Sequence, residues 1–323
     1  MTRVSSECGS ARTEPRRVKR GSRLLEGEGR GEVCAFSGEP TPLTPTLSRW
    51  EREHARDPLE PVESRSRSLF LALGALIALA GAAPATEILP AQRRSGFDAM
   101  SPETQAMQRD DGANPGMLWV QDGADLWNRA PSPDRPACAG CHGEADTSMR
   151  GVAARYPAFD AGSQRPVDLQ DRINLCRREK QNATPFAYES RDLLGLSAYV
   201  ATQSRGEPIA PPKDPRLHRG RAEGQALFTA RMGQLGLTCA ACHDDNHGRR
   251  LGAATIPQGH PTGYPLYRLE WQGIGSLQRR LRNCMTGMRA EPYPYGAPEH
   301  VALELYLATR AAPLPVETPA VRP

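Results

Sequence analysis

The chain has 323 residues, of which 38% are apolar and only 6% aromatic, with 30 Gly and 30 Pro. Its 41 basic and 37 acidic residues leave a net charge of +4, too balanced for the basic footprint of a nucleic-acid binder, and no run of about 18 or more apolar residues is present to span a bilayer. So few aromatics among so many chain breakers fill an all-protein core poorly, which predicts a loop-rich fold or a core completed by something other than protein.

Residues 1–64 are rich in Arg, Gly, Glu and Pro and show no sustained period of 2 or 3.6. Arg65-Ser66-Arg67-Ser68 then precedes an apolar run from Leu69 to Ala83 that closes in Ala83-Pro84-Ala85. A basic stretch, a short apolar run and a small-x-small site describe a secretory signal peptide; a single membrane anchor is the alternative, disfavoured by the short, Ala/Gly-heavy run. Export signals begin close to the N-terminus, and this one does not. Residues 42–52 resemble the translation of a bacterial intergenic repeat, and no Met falls between Met1 and Met100. The expectation is a start placed too early, with Val62 a well-positioned alternative. Residues 1–85 are then extension and signal, Cys8 and Cys34 fall outside the protein, and the exported chain begins near Thr86.

Beyond residue 86 come Gly123-x-x-Leu126-Trp127 and, eleven residues after the Trp, Cys138-Ala-Gly-Cys141-His142. The same arrangement returns as Gly224-x-x-Leu227-Phe228 and Cys239-Ala-Ala-Cys242-His243, and Leu196-x-x-Tyr199 is matched by Leu303-x-x-Tyr306. A repeat of about 100 residues is a domain-sized duplication. C-x-x-C-H is the attachment sequence of c-type haem: two thiols add across the porphyrin vinyl groups and the adjacent His reaches the iron. C-x-x-C also serves zinc and thiol redox chemistry, but two copies each followed by His favour haem. A helix bearing an aromatic, the motif, middle loops and a last amphipathic helix resemble the class I cytochrome c fold. The expectation is a mainly α protein: one cytochrome c-like domain over 86–206, a Pro-rich stiff linker over 207–216, and a second domain over 217–323. Two covalently bound haem c groups would supply the missing core.

Class I cytochromes usually close the iron with a downstream Met. Met149 stands only seven residues after His142, too close to cross to the far face. Cys176 is better placed, in Leu169-x-x-x-Ile173-x-x-Cys176, where all three residues share a helical face. Cys284 sits equivalently in Leu277-x-x-x-Leu281-x-x-Cys284. The favoured reading is His/Cys ligation of both irons, His142 with Cys176 and His243 with Cys284. A Cys176–Cys284 disulfide, inert buried thiols, or Met285 as the second ligand remain open. Thiolate ligation stabilises ferric iron and lowers the potential.

Cys239-Ala-Ala-Cys242-His243, Gly259-His-Pro-Thr-Gly-Tyr-Pro-Leu-Tyr-Arg268, Gly275-Ser-Leu-Gln-Arg-Arg-Leu-Arg-Asn-Cys284 and Arg289-Ala-Glu291 together resemble the SoxA family, dihaem subunits of the SoxAX cytochrome of thiosulfate oxidation. The resemblance covers 98–310 and is most specific across 256–307. It implies L-cysteine S-thiosulfotransferase activity in the periplasm. Thiosulfate is joined oxidatively to a Cys of the SoxYZ carrier, with SoxX as partner subunit and no stable membrane insertion. It further implies that Cys138, Cys141, Cys239 and Cys242 bind haem and that His142, Cys176, His243 and Cys284 are axial ligands. Cys284 is implied as the cysteine persulfide intermediate, and Arg280 as substrate-binding.

That assignment makes chemical sense, because thiosulfate is a dianion and a guanidinium fork suits a tetrahedral oxyanion. Arg279, Arg280, Arg282 and Arg289 bracket Cys284, and Arg280 lies one helical turn from it. Arg172 stands in the same relation to Cys176, however, so pairing with a haem propionate competes with a substrate role. His260 and His300 are read as ordinary exposed or packing residues before proton carriers. The alternative function is a dihaem electron carrier whose thiolates only tune potential; Arg289-Ala-Glu291, without a counterpart after Cys176, favours the transferase.

Overall fold

The computed structural model describes residues 88–323; the expected signal peptide, its cleavage site and the alternative start lie outside them. Ten α-helices follow in order: α1 (Pro102–Arg109), α2 (Met117–Asn128), α3 (Cys138–His142), α4 (Ala145–Ser148), α5 (Leu169–Glu179), α6 (Arg191–Thr202), α7 (His218–Thr229), α8 (Cys239–His243), α9 (Leu277–Gly287) and α10 (Pro298–Ala311). Short strands connect them: β1 (Ala158–Asp160) with β2 (Arg165–Val167), β3 (Arg250–Leu251) with β4 (Ala254–Thr255), and β5 (Leu266–Arg268) with β6 (Gly273–Gly275), all antiparallel. A last strand, β7 (Val321–Arg322), runs parallel to β5.

The duplication is visible in how helices cross. In the first half α2 meets α6 so closely that a Cβ on Gly123 would lie 2.1 Å from the Gly195 carbonyl oxygen. In the second, α7 meets α10 with a Cβ on Gly224 falling 2.0 Å from the Ala302 oxygen. Only glycine permits that approach, and it brings the paired aromatics into register. Trp127 packs against Tyr199 at 6.1 Å between centroids and Phe228 against Tyr306 at 5.5 Å. Each pair anchors its own apolar cluster, with Leu196 and Val200 in the first and Leu303 and Leu307 in the second.

Equivalent positions are 101 residues apart up to the motifs (138 and 239) and 108 apart beyond them (176 and 284). The extra length in the second half holds the β3–β4 hairpin. Past it the halves match again. β1–β2 leads into α5, whose N-cap Asp168 accepts from the Asp171 amide, and β5–β6 leads into α9, whose N-cap Ser276 accepts from the Arg279 amide.

The segment after residue 88, counted with the first domain by sequence, docks on the second. The Arg94 amide donates to Gln258 Oε1 (2.7 Å), Gln258 Nε2 donates to the Gln92 carbonyl (3.1 Å), and the Arg93 guanidinium donates to the Ala312 carbonyl. The connector after residue 206 is likewise tied down, with Ile209 N donating to Leu314 O and Val316 N to Glu207 O, each at 2.9 Å. No helix among the described residues is long and apolar enough to cross a membrane.

Candidate functional site

Each motif occupies a single helical turn against its aromatic. In the first half Trp127 Nε1 donates to the Gly143 carbonyl (3.0 Å), and its ring lies 5.7 Å from that of His142. Leu169 and Ile173 of α5 join the cluster around Trp127 and Cys138, which turns their shared face, and Cys176 with it, toward the motif. Burial pushes the Cys138 thiol up, Arg177 opposes this, and the Cys176 sulfur adds to it. The two sulfurs therefore lie close enough to influence each other electrostatically.

The second half repeats this with tighter control of the histidine. Thr238 caps α8 by accepting from the Ala241 amide at 2.8 Å. His243 Nδ1 donates to the Pro257 carbonyl at 2.7 Å, a bond delivered by the chain returning from the β3–β4 hairpin. Gly259 (φ +75°) packs on the same ring, where a Cβ would sit 3.0 Å from the imidazole Cγ. The next residue, Asp244, forms an ion pair with Arg310 of α10, their side chains 5% and 8% exposed. Arg310 lies 4.5 Å over Phe228. Burial, then the nearby Cys284 sulfur, push the Cys239 thiol up to about 11. Cys284 behaves in the opposite way: burial alone would raise its pKa, but His243, Arg280 and Arg268 together hold it below the usual thiol range.

The two clefts differ in charge. In the first, Arg172 donates to Asp160 Oδ1 at 2.8 Å. In the second, Arg280 has no carboxylate within 4 Å among the described residues. Asp160 ends β1 and Arg268 ends β5 at the matching position, with Asp160 paired to Arg165 and Arg268 to Gly273 across each hairpin. A cation therefore replaces the anion.

Of the four arginines expected around Cys284, two are engaged elsewhere and a third is exposed. Arg279 faces Glu189 (3.9 Å) and the Trp271 ring (4.3 Å). Arg282 donates to the Tyr293 carbonyl and lies 4.6 Å over Tyr295. Arg289 is exposed beyond the end of α9. Arg280 alone shares the face of Cys284, and Arg268, which proximity in sequence did not single out, completes the pair. Superposing the duplication at its 108-residue offset would have found it.

Met285, the rival ligand, is buried with Phe228 and Leu303. His260 and His300 are buried, and burial lowers their pKa values to about 3 and about 4, so both are neutral packing residues near pH 7. The six cysteines among the described residues are free, so Cys176 and Cys284 are not joined. Among the described residues no cluster of three or more His, Cys, Asp or Glu side chains is arranged to hold a bare metal ion. What remains fits haem: in each half a thiol pair on one turn, the following His, and a facing thiol across an apolar cleft.

Two such clefts on crossing glycine-hinged helices define a c-type cytochrome, a protein of tandem cytochrome c domains that hold haem covalently. The family model for the SoxA/TsdA cytochrome c domain matches residues 122–209 and 223–316, and the chain belongs to that family. It is 39% identical over 229 residues to the L-cysteine S-thiosulfotransferase subunit SoxA of Pseudaminobacter salicylatoxidans, covering 71% of this chain and 80% of that one. It is 35% identical to the SoxA subunit of Rhodovulum sulfidophilum over the same shares. The crystal structure of SoxXA from P. pantotrophus matches with a TM-score of 0.69 at 32% identity, over 72% of this chain and 87% of that chain.

Proposed function

We propose that this chain is the SoxA-type subunit of a periplasmic L-cysteine S-thiosulfotransferase. It carries two covalent haem c groups, pairs with a SoxX-type cytochrome and acts on thiosulfate and a SoxYZ-type carrier. The names of its relatives and its likeness to the SoxXA crystal structure support this reading. The observation that carries it is Cys284, a half-buried thiol whose pKa is drawn below the usual thiol range by His243, Arg280 and Arg268, at a position whose counterpart in the first half has its cation neutralised.

The reaction joins the carrier cysteine sulfur to the outer sulfur of thiosulfate. One S–S bond forms, the carrier thiol loses its proton to solvent, and two electrons leave. When bound, the haem on the second motif would supply a one-electron path by which those two electrons leave in turn to the partner cytochrome. Cys284 serves as ligand and as covalent sulfur holder. A sulfur already shared with a metal is a weak nucleophile, and a cysteine persulfide resolves this by presenting a second sulfur outward. Arg280, one turn away, grips the sulfonate oxygens. Cys138 and Cys141, and Cys239 and Cys242, would hold the two haems, with His142 and Cys176 in the first half and His243 and Cys284 in the second as the residues that would ligate iron.

Cys284→Ala should abolish conjugation, read as the mass shift of the carrier cysteine with a cytochrome as electron acceptor. Conjugation at near wild-type rate would leave the electron-carrier reading the better one. The intact mass of protein recovered from the periplasm would report the haem count and the N-terminus together.

A further inference from the structure

We infer that Arg268 is the second arm of the thiosulfate clamp, and that exchange of an acid for this arginine across the duplication makes one of two equivalent clefts a substrate site and the other a closed one. This rests on the reading that thiosulfate is held at Arg280 beside Cys284.

Each half presents one arginine a helical turn before its facing cysteine, Arg172 before Cys176 and Arg280 before Cys284, so that arginine alone cannot distinguish a catalytic cleft from an inert one. The neighbouring hairpin can. In the first half Asp160 meets Arg172 at 2.8 Å, and the Ser163 amide and hydroxyl fix the carboxylate at 2.7 and 2.8 Å. The cation is consumed internally, and an incoming anion would have to displace a tethered carboxylate. In the second half Arg268 stands at the end of the equivalent strand, its side chain 12% exposed.

Two like charges beside one another in a mostly buried place are unfavourable unless something anionic joins them. The apparent relief for Arg268, Glu270 at 3.1 Å, is half exposed at 51% and so a weak partner. Arg268 Nε is buried with no hydrogen-bond partner among the described residues, which leaves a donor free. Each guanidinium can match one edge of a sulfonate group, and the two charges balance the dianion. Breaking a local rule of charge pairing in one copy of a duplicated unit and satisfying it in the other is expected where function resides.

The closing experiment uses the oxidised holoprotein with its cytochrome partner. Thiosulfate binding is measured by calorimetry without carrier, and KM and kcat for conjugation with carrier. Arg268→Asp recreates the pairing of the first cleft and should weaken thiosulfate binding by about 100-fold, with KM raised in step and kcat changed far less. Arg268→Lys should recover most of the affinity. Glu270→Gln should leave binding unchanged or tighter, whereas a merely structural Arg268–Glu270 pair would make it as damaging as Arg268→Asp. Wild-type affinity in Arg268→Asp, with weakened binding in Arg280→Ala, overturns the role of Arg268 alone. Wild-type affinity in both variants overturns the location of the substrate site.

Discussion

At the scale of single residues, burial sets the charge of a histidine in the second half. His300 is fully buried on α10, edge-on to the Tyr293 ring at 5.9 Å, with Nδ1 donating to the Pro294 carbonyl at 3.1 Å. Burial is the first cause of its lowered pKa, about 4 against an ordinary value near 6.5. The folded state therefore resists a proton that the unfolded chain accepts. The stability His300 contributes is complete above about pH 6.5 and is lost as pH falls toward 4. His300→Gln removes that titration. The melting temperature of the wild type should exceed that of the variant near pH 7.5, and the gap should shrink by pH 4.5. A constant gap would mean that His300 takes up its proton equally in both states.

At the scale of elements, the duplicated unit was legible wherever chemistry forces residues together in sequence. The C-x-x-C-H turns, the glycine that lets two helices cross and the apolar face leading to Cys176 and Cys284 all follow from short-range spacing. The identity of the cations beside Cys284 does not. Residues 279, 280 and 282 are neighbours in sequence yet point in different directions at about 100° per residue, so crowding of arginines along α9 overstated the charge at the sulfur. Arg268 arrives from a strand, and strand-to-helix proximity is a tertiary fact. The inserted β3–β4 hairpin was equally silent in sequence, although the chain that leaves it sets the Nδ1 hydrogen bond and the tight glycine behind His243. Gly259→Ala tests that element. Its φ of +75° penalises any side chain by roughly 1–2 kcal/mol, and the added methyl presses on the imidazole. The expected outcome is a perturbed low-spin ferric EPR signal for the haem of the second motif, with the other haem unchanged. Two unaltered signals would show that the ring is held independently of this loop.

At the scale of the whole molecule, the halves are joined by more than a linker. Tyr188 and Tyr295 occupy equivalent positions and stack on each other, 6.2 Å apart and 11° from parallel. Beside this stack the fully buried Gln278 of the second half donates to Asp168 of the first at 2.7 Å and accepts from the Gly296 amide at 2.7 Å. Burial first, then Asp171, push Asp168 up to about 7. The C-terminal segment closes the assembly. β7 lies parallel to β5, with Val321 opposite Tyr267 and Arg322 opposite Arg268. Asn114 and Arg205 of the first half donate to the Pro319 and Thr318 carbonyls at 2.8 and 3.0 Å. Val316 and Val321 are 7% and 0% exposed, and burial of two valines is worth about 3–6 kcal/mol. Deleting residues 313–323 should therefore lower the melting temperature by roughly 10 °C and split a single calorimetric transition into two, since it removes the strand that both halves share. Haem content should be unaffected, because no residue of either cleft is lost. A truncated protein that still melts in one transition at the wild-type temperature would mean that the tyrosine stack and the Gln278 junction alone make the halves cooperative.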